Sequence, residues 1–428
     1  AMERLMQYVW EHRLILPADM RSVDGERLEV IDTGLLNRDA GPDFFNAKVR
    51  VGDRTWAGNV EVHVRASDWH RHGHDGDRAY DSVILHVVRD SDCRIFRSNG
   101  EMIPQMVMTC ASDFNSRYSA LVDSASIPAC ASGIASVPGL YLTDWLASLA
   151  FERLYAKADR VEEYYRTLGS WNAAVYATLA RALGFGLNGD AFERVARATP
   201  LSVMLKHADS PAAVEGMLFG QAGMLGDDNP DRDSVYVQAL RREYEFMRHK
   251  FGLRQPEGMI WKMARTRPQN FPHRRLAVLA AFVAGGFRIG AEIMRIGNEN
   301  DARALFDVDL KGYWARRHTF GSESARSARA LSDASVNTLI INVVVPVLYA
   351  YGTVCGYTDR IDLAVDLLQS LKPENNSVVA AFTAAGISCR DAFSSQALVE
   401  LRRNYCDTRK CLYCRIGHRL LSQLARQE

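Results

Sequence analysis

The first quarter of the chain alternates apolar and polar residues in the manner typical of β-strands. Apolar residues recur at every second position, or without a break, in four short stretches: 28–30, 49–51, 60–64 and 83–88. Gly52-Asp53 lies between two of these stretches and predicts a hairpin turn. A helix over residues 2–13 is expected to precede the strands. We therefore expect an α/β domain over residues 1–125.

The pattern becomes helical beyond residues 121–139, a segment rich in Ser, Ala, Gly and Pro that indicates a domain boundary. Ser210-Pro211 predicts a helix start, because Ser caps free N–H groups and Pro fits the first turn. Other helices are expected at 233–251, 272–285, 335–351, 358–371, 376–387 and 390–404. The fold class is therefore α+β, with a large all-α domain over 137–428.

Composition and charge exclude several classes of protein. The 428 residues are 47% apolar and 24% charged, as in ordinary globular proteins, and the net charge of +1 excludes a histone-like basic protein. The longest apolar run, 338–355, contains Asn342 and Pro346, so we expect a buried core helix and no membrane contact. The start lacks the features of a signal peptide. With eight cysteines in so long a chain, this indicates a reducing, cytoplasmic location.

The densest group of chemically active residues begins after the first predicted strand. Asp43 follows Gly41-Pro42 at the start of a strand, and Glu61 and His63 lie on the return strand. Two residues apart on a strand, Glu61 and His63 point to one face. A divalent cation needs rigidly held oxygen ligands, which Asp43, Glu61 and the carbonyl of Val62 could supply. The sequence therefore predicts a metal site here, with His63 placed to bind phosphate or move a proton.

A loop rich in His and Asp follows directly. It contains six such residues: Asp68, His70, His72, His74, Asp75 and Asp77. Imidazole suits zinc and other transition metals, so His70, His72 and His74 are candidate ligands of a transition-metal ion separate from the one at Asp43 and Glu61. The alternative is an ordinary solvated loop, which the alternate spacing and the glycines also fit.

This arrangement resembles the PD-(D/E)XK nuclease superfamily. Pro42-Asp43 matches the first motif, and Glu61-Val62-His63 matches the second, except that His63 stands where the superfamily usually has Lys. The resemblance implies a restriction-endonuclease-like N-terminal domain built from a helix, three antiparallel strands, a helix and a further strand. It also implies a Mg or Mn ion, DNA or RNA as the substrate, and three catalytic residues: Asp43, Glu61 and His63.

The complete chain is also similar to an uncharacterised bacterial family, the DUF2851 family, which is best represented in Bacteroidetes-type bacteria. The segments that carry this similarity extend over nearly the whole length: GPDF, VEVH, SDWHRHGH, YDSVILHVV, FGQAGML, RPQNFPHRR and the closing cysteines. This similarity implies no activity, because the family has none assigned.

A basic stretch in the helical part is a candidate nucleic-acid contact. Residues 241–275 contain ten Lys or Arg and three Glu, and Tyr244, Trp261 and Phe271 lie among them. Basic and aromatic side chains together suit phosphate contact and base stacking. The candidate contacts are Arg265, Arg267, Arg274 and Arg275. The alternative is a solvated helix face whose aromatic residues belong to the core.

The C-terminal tail predicts a second metal site. It contains four candidate ligands: Cys406, Cys411, Cys414 and His418. Three thiolates and one imidazole fit tetrahedral zinc. The x4 and x2 spacing also suits an iron–sulfur cluster, for which Cys355 or Cys389 could supply the fourth thiolate. An ordinary cluster of reduced cysteines is the alternative. The upstream cysteines are expected to be small core residues: Cys93, Cys110 and Cys130.

Three functional hypotheses are consistent with these observations. The first is a metal-dependent nuclease, or a nuclease-like nucleic-acid-processing protein, centred on Asp43, Glu61 and His63. The alternative is a catalytically inactive nuclease-like scaffold that binds nucleic acid or a protein partner, which would tolerate the loss of the usual Lys at position 63. A third is a metal-dependent hydrolase of another substrate that uses the histidines from His70 to His74. A phosphate-binding Gly-rich loop and a nucleophile elbow are missing, which disfavours an ATPase and a serine hydrolase.

Overall fold

The computed structural model describes residues 2–422 except 16, 38, 110, 111, 265 and 328. Contacts between residues divide the chain into two compact units. Unit 1 comprises Ala1–Trp145, Ala381–Ile387 and Leu401–Glu428, and unit 2 comprises Leu146–Ala380 and Ser388–Glu400. Unit 1 contains the large sheet, and unit 2 is almost wholly helical. At this coarse level, the mixed α and β organisation that the sequence predicts is confirmed.

The sheet of unit 1 has both antiparallel and parallel neighbours. The described strands are β1 Leu28–Asp32, β2 Leu35–Leu36, β3 Phe44–Val51, β4 Arg54–Arg65, β5 Val83–Asp90, β6 Gln105–Val107, β7 Arg317–Thr319 and β8 Ser322–Glu323. The first six form one sheet in the order β1-β3-β4-β5-β6, with β2 paired to β3. Strands β1, β3 and β4 are antiparallel, whereas β4, β5 and β6 run parallel. The predicted turn at Gly52-Asp53 joins β3 to β4.

Helices account for most of the remaining chain. The described α-helices are α1 Met2–Glu11, α2 Asp68–Arg71, α3 Ser112–Asp123, α4 Gly139–Leu168, α5 Trp171–Leu183, α6 Gly189–Ala198, α7 Leu201–Met204, α8 Pro211–Gln221, α9 Val235–Phe251, α10 Pro272–Ala284, α11 Ile289–Glu292, α12 Glu299–Ala304, α13 Asp333–Leu339, α14 Val345–Cys355, α15 Thr358–Ser370, α16 Ser377–Ala384, α17 Ala392–Glu400 and α18 Arg415–Ser422. Short π-helical segments, Ile340–Val344 and Leu401–Cys406, continue α13 and α17. The predicted helices are present with ends that differ by a few residues, and Ser210 caps α8 by accepting the N–H of Ala213.

A β-bulge lies near the start of β3. Between Phe44 and Ala47 the register of β3 against β4 shifts by one residue. The extra residue is accommodated at Asn46, whose φ of +57° is a left-handed conformation that Asn tolerates better than most residues. Phe44 thereby pairs with Val60, and both side chains are fully buried. The bulge thus decides which residue of β4 lies opposite the start of β3.

The core of unit 1 lies between α1 and one face of the sheet. Trp10 from α1 is buried in the same apolar cluster as Val60 and Val62 from β4. Because side chains alternate along a strand, Glu61 and His63 lie on the opposite face of β4. The burial of the valines fixes the orientation of the strand, and this orientation determines where the two polar side chains point.

The C-terminal tail packs within unit 1. Leu412 and Leu421 are buried in the same cluster as α1 and the sheet. Contacts therefore group Leu401–Glu428 with the N-terminal part of the chain. The sequence pattern assigns this tail to a helical domain over 137–428, because helical periodicity shows the type of an element and does not show which core the element joins.

One helix, Asp333–Cys355, is long and apolar enough to cross a membrane by length and composition alone. In its most apolar window 61% of the residues are buried inside the structure, and the core helix of a globular protein passes the same test. Within this helix Asn342 donates to the Thr338 carbonyl and accepts from Lys157, both at 2.8 Å. The polar side chain in the apolar run is therefore satisfied inside unit 2. A cytoplasmic location stays a prediction.

Candidate functional site

Asp43 and Glu61 lie side by side where β3 begins. The backbone N–H of Asp43 donates to Glu61 Oε2 at 3.0 Å, and the N–H of Val62 donates to Asp43 Oδ2 at 3.0 Å. Gln7 on α1 donates its side-chain amide to Asp43 Oδ1 at 2.9 Å. Donors from three elements therefore fix the two carboxyl groups. Val62 contacts Asp43 through its N–H, and the role of its carbonyl as a metal ligand stays a prediction.

Three histidines converge beside Glu61. His63 Nε2 lies 3.4 Å from Glu61 Oε1, and His74 Nε2 lies at the same distance from the same oxygen. His72 Nδ1 lies 3.1 Å from His63 Nε2. One ligand atom from each of these histidines lies within 4.8 Å of the others. Three imidazoles therefore present their ligand atoms to one small volume, and Glu61 Oε1 lies beside two of them.

This group of histidines differs from the one that the spacing predicts. His70, expected to act with His72 and His74, instead pairs with Asp75 at 2.8 Å on the surface. Helix α2 and the two short helical turns that follow it fold the loop onto β4, so that two loop histidines meet His63. Alternate spacing keeps side chains on one side only in a strand. Of the three loop histidines that were candidates for one site, His72 and His74 therefore meet and His70 does not.

His86, on the neighbouring strand, positions His63. It lies opposite Glu61 in the parallel pairing of β4 with β5, and its Nε2 is 2.9 Å from His63 Nδ1. When His63 donates this hydrogen bond from Nδ1, its Nε2 keeps the lone pair that a metal requires. In the sequence, His86 is a polar residue inside an apolar run, and nothing there indicates its partner. The strand pairing shows that it contacts His63.

Aromatic rings form the walls of the site. The ring of Tyr80 stacks on His74 with 3.7 Å between centroids. Trp69 is fully buried and makes edge contacts with His74 at 5.3 Å and His86 at 5.4 Å. His72 is exposed, in contrast to the buried His63. The site is therefore enclosed by apolar surface on one side and opens to solvent at His72.

Burial changes the pKa values of these groups. Desolvation, with repulsion from Glu61, raises the pKa of Asp43 to about 7. Desolvation also raises the pKa of Glu61 to about 8, and it lowers the pKa of His63 to about 3. The pKa of His74 is lowered for the same reason. The metal-free site therefore holds neutral imidazoles at His63 and His74 and carboxyl groups that retain protons near neutral pH.

The donor set fits a transition-metal ion. His74 Nε2 is buried and, among the described residues, has no hydrogen-bond partner, which costs free energy unless a ligand satisfies it. Imidazole suits Zn, Fe and Ni, whereas Mg prefers oxygen ligands. An ion held here would be bound by His63, His72 and His74, with Glu61 Oε1 placed beside two of them as a further ligand. This set differs from the oxygen-only set, with Asp43 and the carbonyl of Val62, that the sequence predicts.

We expect the stability of the metal-free protein to fall as the pH rises from about 7 to about 8.5. In this window the folded protein keeps protons on Asp43 and Glu61 that the unfolded chain has already released. The free energy of unfolding therefore decreases with each unit by which the pH rises. His63 and His74 do not oppose this effect, because burial lowers their pKa values and above pH 7 both are mostly neutral in the folded and the unfolded chain. One retained proton is worth about 1.4 kcal/mol per pH unit, which predicts a loss of about 1–2 kcal/mol.

Urea unfolding in the presence of a chelator measures this change. The matched variant is Glu61→Gln, which removes the titration with the higher pKa and should therefore show a smaller loss over the same window. A wild-type free energy of unfolding that stays constant or increases would contradict the raised carboxyl pKa values.

A family model described as "Protein of unknown function (DUF2851)" matches residues 3–377 of the chain. The chain belongs to the DUF2851 family. The match includes all the carboxylate and histidine residues of the site and ends before the cysteine tail. No curated protein and no solved structure matches this DUF2851 protein. The predicted family is confirmed, whereas these comparisons give no support to the PD-(D/E)XK resemblance.

Two of the four candidate arginines of the DUF2851 protein are buried in unit 2. Arg274 and Arg275 are 0% and 1% exposed. Arg274 donates to three backbone carbonyls, and Arg275 donates to two side-chain oxygens. Their assignment as nucleic-acid contacts is therefore wrong for this structure, because a buried guanidinium presents no charge to a phosphate in solution. Arg267 is exposed and stays a prediction, and Arg265 lies outside the described residues.

The cysteine tail of the DUF2851 protein meets a cysteine from far upstream. One small cavity is lined by four cysteines: Cys130, Cys406, Cys411 and Cys414. His418, the fourth ligand expected for zinc, instead bonds to the hydroxyl of Tyr8. Cys355 is exposed, and Cys389 bonds to a nearby backbone carbonyl. The sequence carries no signal for Cys130, because its distance along the chain matches no ligand spacing.

Proposed function

We propose that unit 1 is a metal-dependent hydrolase of phosphodiester bonds and that its substrate is DNA or RNA. The main support is the convergence of ligand atoms from His63, His72 and His74 on one face of the sheet, with Glu61 Oε1 3.4 Å from two of them. A transition-metal ion held there, such as Mn, Zn or Fe, would supply an activated water and neutralise charge on a phosphate.

The order of the elements supports a nuclease. Helix α1 precedes three antiparallel strands, β1, β3 and β4, and short helical turns then lead to β5, which is parallel to β4. This is the order that the resemblance to PD-(D/E)XK nucleases implies. Asp43 lies just before the second of these strands and Glu61 lies in the third, where the same resemblance places the two motifs.

The residues divide into those that hold the ion and those that position its ligands. Glu61 and His63 face the ion directly. Asp43 positions Glu61, because its N–H donates to Glu61 Oε2 while Gln7 holds its own carboxyl group. His86 positions His63 in the same way. His63 is therefore a neutral ligand in this proposal and does not take the role of a charged Lys.

The open side of the site suits an anionic substrate. His72 is exposed at this opening. Arg71 is 70% exposed, is held by Asp68 at 3.0 Å, and its charge adds to the desolvation that lowers the pKa of His63. A guanidinium binds phosphate oxygens through charge-assisted hydrogen bonds. A phosphodiester that enters beside His72 would therefore meet a positive charge before it reaches Glu61.

Cleavage assays with the full chain test the proposal. The protein is stripped with a chelator, reloaded with Mn, Zn, Fe(II) or Mg, and incubated with labelled single- and double-stranded DNA and RNA. We expect cleavage that requires a transition-metal ion. Asp43→Ala, which removes the side-chain oxygens that anchor this residue to Val62 and Gln7, should reduce the rate by about 10- to 100-fold, as expected for loss of a residue that orients a ligand. Asp53→Asn, which changes an exposed acid at the turn of the same hairpin, should leave the rate unchanged.

Failure to cleave any of these substrates with any of the four ions would overturn the nuclease proposal. Fluorescence anisotropy with the same oligonucleotides then separates the remaining hypotheses. Binding without cleavage would favour the catalytically inactive scaffold that the sequence also allows.

A further inference from the structure

The cavity lined by four cysteines in unit 1 takes no part in the proposed function. Cys130 directly precedes the short helical segment Ala131–Ser136, and the other three cysteines come from the C-terminal tail. The cavity has a volume of about 20 Å³ and apolar walls. All four cysteines are free thiols. Four thiols around one cavity that form no disulfide offer the sulfur ligands that iron and zinc bind once the thiols are deprotonated.

We propose that these four thiolates hold an iron–sulfur cluster. Such clusters are bound by four cysteines, and one known arrangement combines x4 and x2 spacing with a fourth cysteine at a distance. Cys406, Cys411 and Cys414 have this spacing. Cys130 lines the same cavity and supplies the distant fourth thiolate. His418 is not required as a ligand and bonds elsewhere.

The separation of the sulfur atoms favours a cluster over a single zinc ion. Zinc bound tetrahedrally at about 2.3 Å places its four sulfurs roughly 3.8 Å apart. In the part of the chain that the structure describes, the one group of three or more ligand atoms within 4.8 Å of one another is that of His63, His72 and His74. The cysteine sulfurs are therefore spread more widely than a zinc site needs. A cluster distributes its four thiolates over two or four iron atoms and therefore accommodates a wider spread than a single ion does.

The cluster would fasten the tail to the first part of unit 1. The tail already joins the apolar core through Leu412 and Leu421. Gly417, at the start of α18, lies so close to the backbone of Cys411 that a side chain at this position would clash with it. Because of this close approach, Gly417 of α18 lines the cysteine cavity. Loss of the cluster should therefore loosen α18 and leave the sheet intact.

Anaerobic purification of the full chain tests the proposal. We expect iron and acid-labile sulfide in equal amounts, about two or four of each per chain, with broad visible absorption and an electron paramagnetic resonance signal after reduction. Cys130→Ser should lose most of the iron. Cys355→Ser, which changes an exposed cysteine at the end of α14, should keep all of it.

Three results would overturn the proposal. One equivalent of zinc with no iron would replace the cluster by a zinc site. Full iron content in Cys130→Ser would remove Cys130 from the ligand set. A protein that contains neither zinc nor iron, and in which all four thiols react with an alkylating reagent, would show that these are ordinary cysteines. If Cys130→Ser does not fold, alkylation of the wild type before and after chelation, mapped by mass spectrometry, still identifies which cysteines the cluster protects.

Discussion

Glu61→Gln should abolish metal binding and cleavage together. The Glu61 carboxyl group lies 3.4 Å from both His63 and His74, and a bound ion would displace its proton and leave the anionic carboxylate. A neutral amide is a much weaker ligand for a divalent cation than a carboxylate is. The imidazoles carry no charge, so the ion would lose the negative group that balances it. We expect the rate to fall by about 1,000-fold or more, which corresponds to roughly 4 kcal/mol of transition-state stabilisation.

Elemental analysis and the cleavage assay measure the two effects on the same sample. Glu29→Gln is the matched control, because Glu29 is an exposed carboxylate on β1 of the same sheet. Circular dichroism establishes that both variants are folded. A Glu61→Gln protein that keeps its metal content and its rate would show that any catalytic metal is bound elsewhere.

Arg274→Met should destabilise unit 2 by about 2–5 kcal/mol. The guanidinium of Arg274 is fully buried and donates to the carbonyls of Trp314 at 2.9 Å, Arg317 at 2.8 Å and Arg329 at 3.2 Å. Methionine fills a similar volume without donors. The Trp314 carbonyl is buried, and losing its donor costs about 1–3 kcal/mol. The part-buried carbonyls of Arg317 and Arg329 add to this cost, and the sum exceeds the desolvation relieved by removing one charge. Urea unfolding at neutral pH measures the difference.

Arg267→Met provides the comparison, since Arg267 is exposed and its substitution should change stability by less than about 0.5 kcal/mol. The pair also separates the two roles proposed for these arginines. An Arg274→Met protein that unfolds at the wild-type urea concentration, and that loses affinity for nucleic acid, would restore the nucleic-acid contact that the basic stretch predicts.

The elements of the fold were largely predictable because each depends on local residues. Apolar alternation specified β4, the Gly52-Asp53 pair specified the turn before it, and Ser210 specified the start of α8. The assignment of the tail to a core was not predictable, since Leu412 and Leu421 are equally apolar in either environment. Periodicity along the chain contains no information on which distant surface buries a segment.

The candidate site was predictable where strand geometry governs it. Glu61 and His63 share a face because they are two apart on β4, and Asp43 meets them through the hairpin. The positions of the loop histidines were not predictable, because the path of a loop depends on tertiary packing. His70 has the same spacing as His72 and nevertheless pairs with Asp75, whereas His72 contacts His63.

Burial of charged residues was the least predictable property. Arg274 and Arg275 appear in the sequence as part of a basic stretch. A signal was present, because the apolar residues that follow them in α10 occur on all sides of the helix, and a helix that is apolar all round is buried. Arg274 and Arg275 lie in the first turn of α10 and are buried with the rest of the helix.

The bulge at Asn46 connects the arrangement of the site with a single insertion or deletion. The hairpin is regular between the bulge and its turn, so the loss of one residue at the bulge would leave the turn unchanged. It would also keep Phe44 opposite Val60, because the deletion removes the extra residue that the bulge accommodates. A β3 strand of the same length without the bulge would instead place Phe44 opposite Glu61 and displace Asp43 from its present contacts. A one-residue insertion or deletion between the bulge and the turn would shift the pairing in the same way, so related sequences that differ in length there should also differ in chemistry.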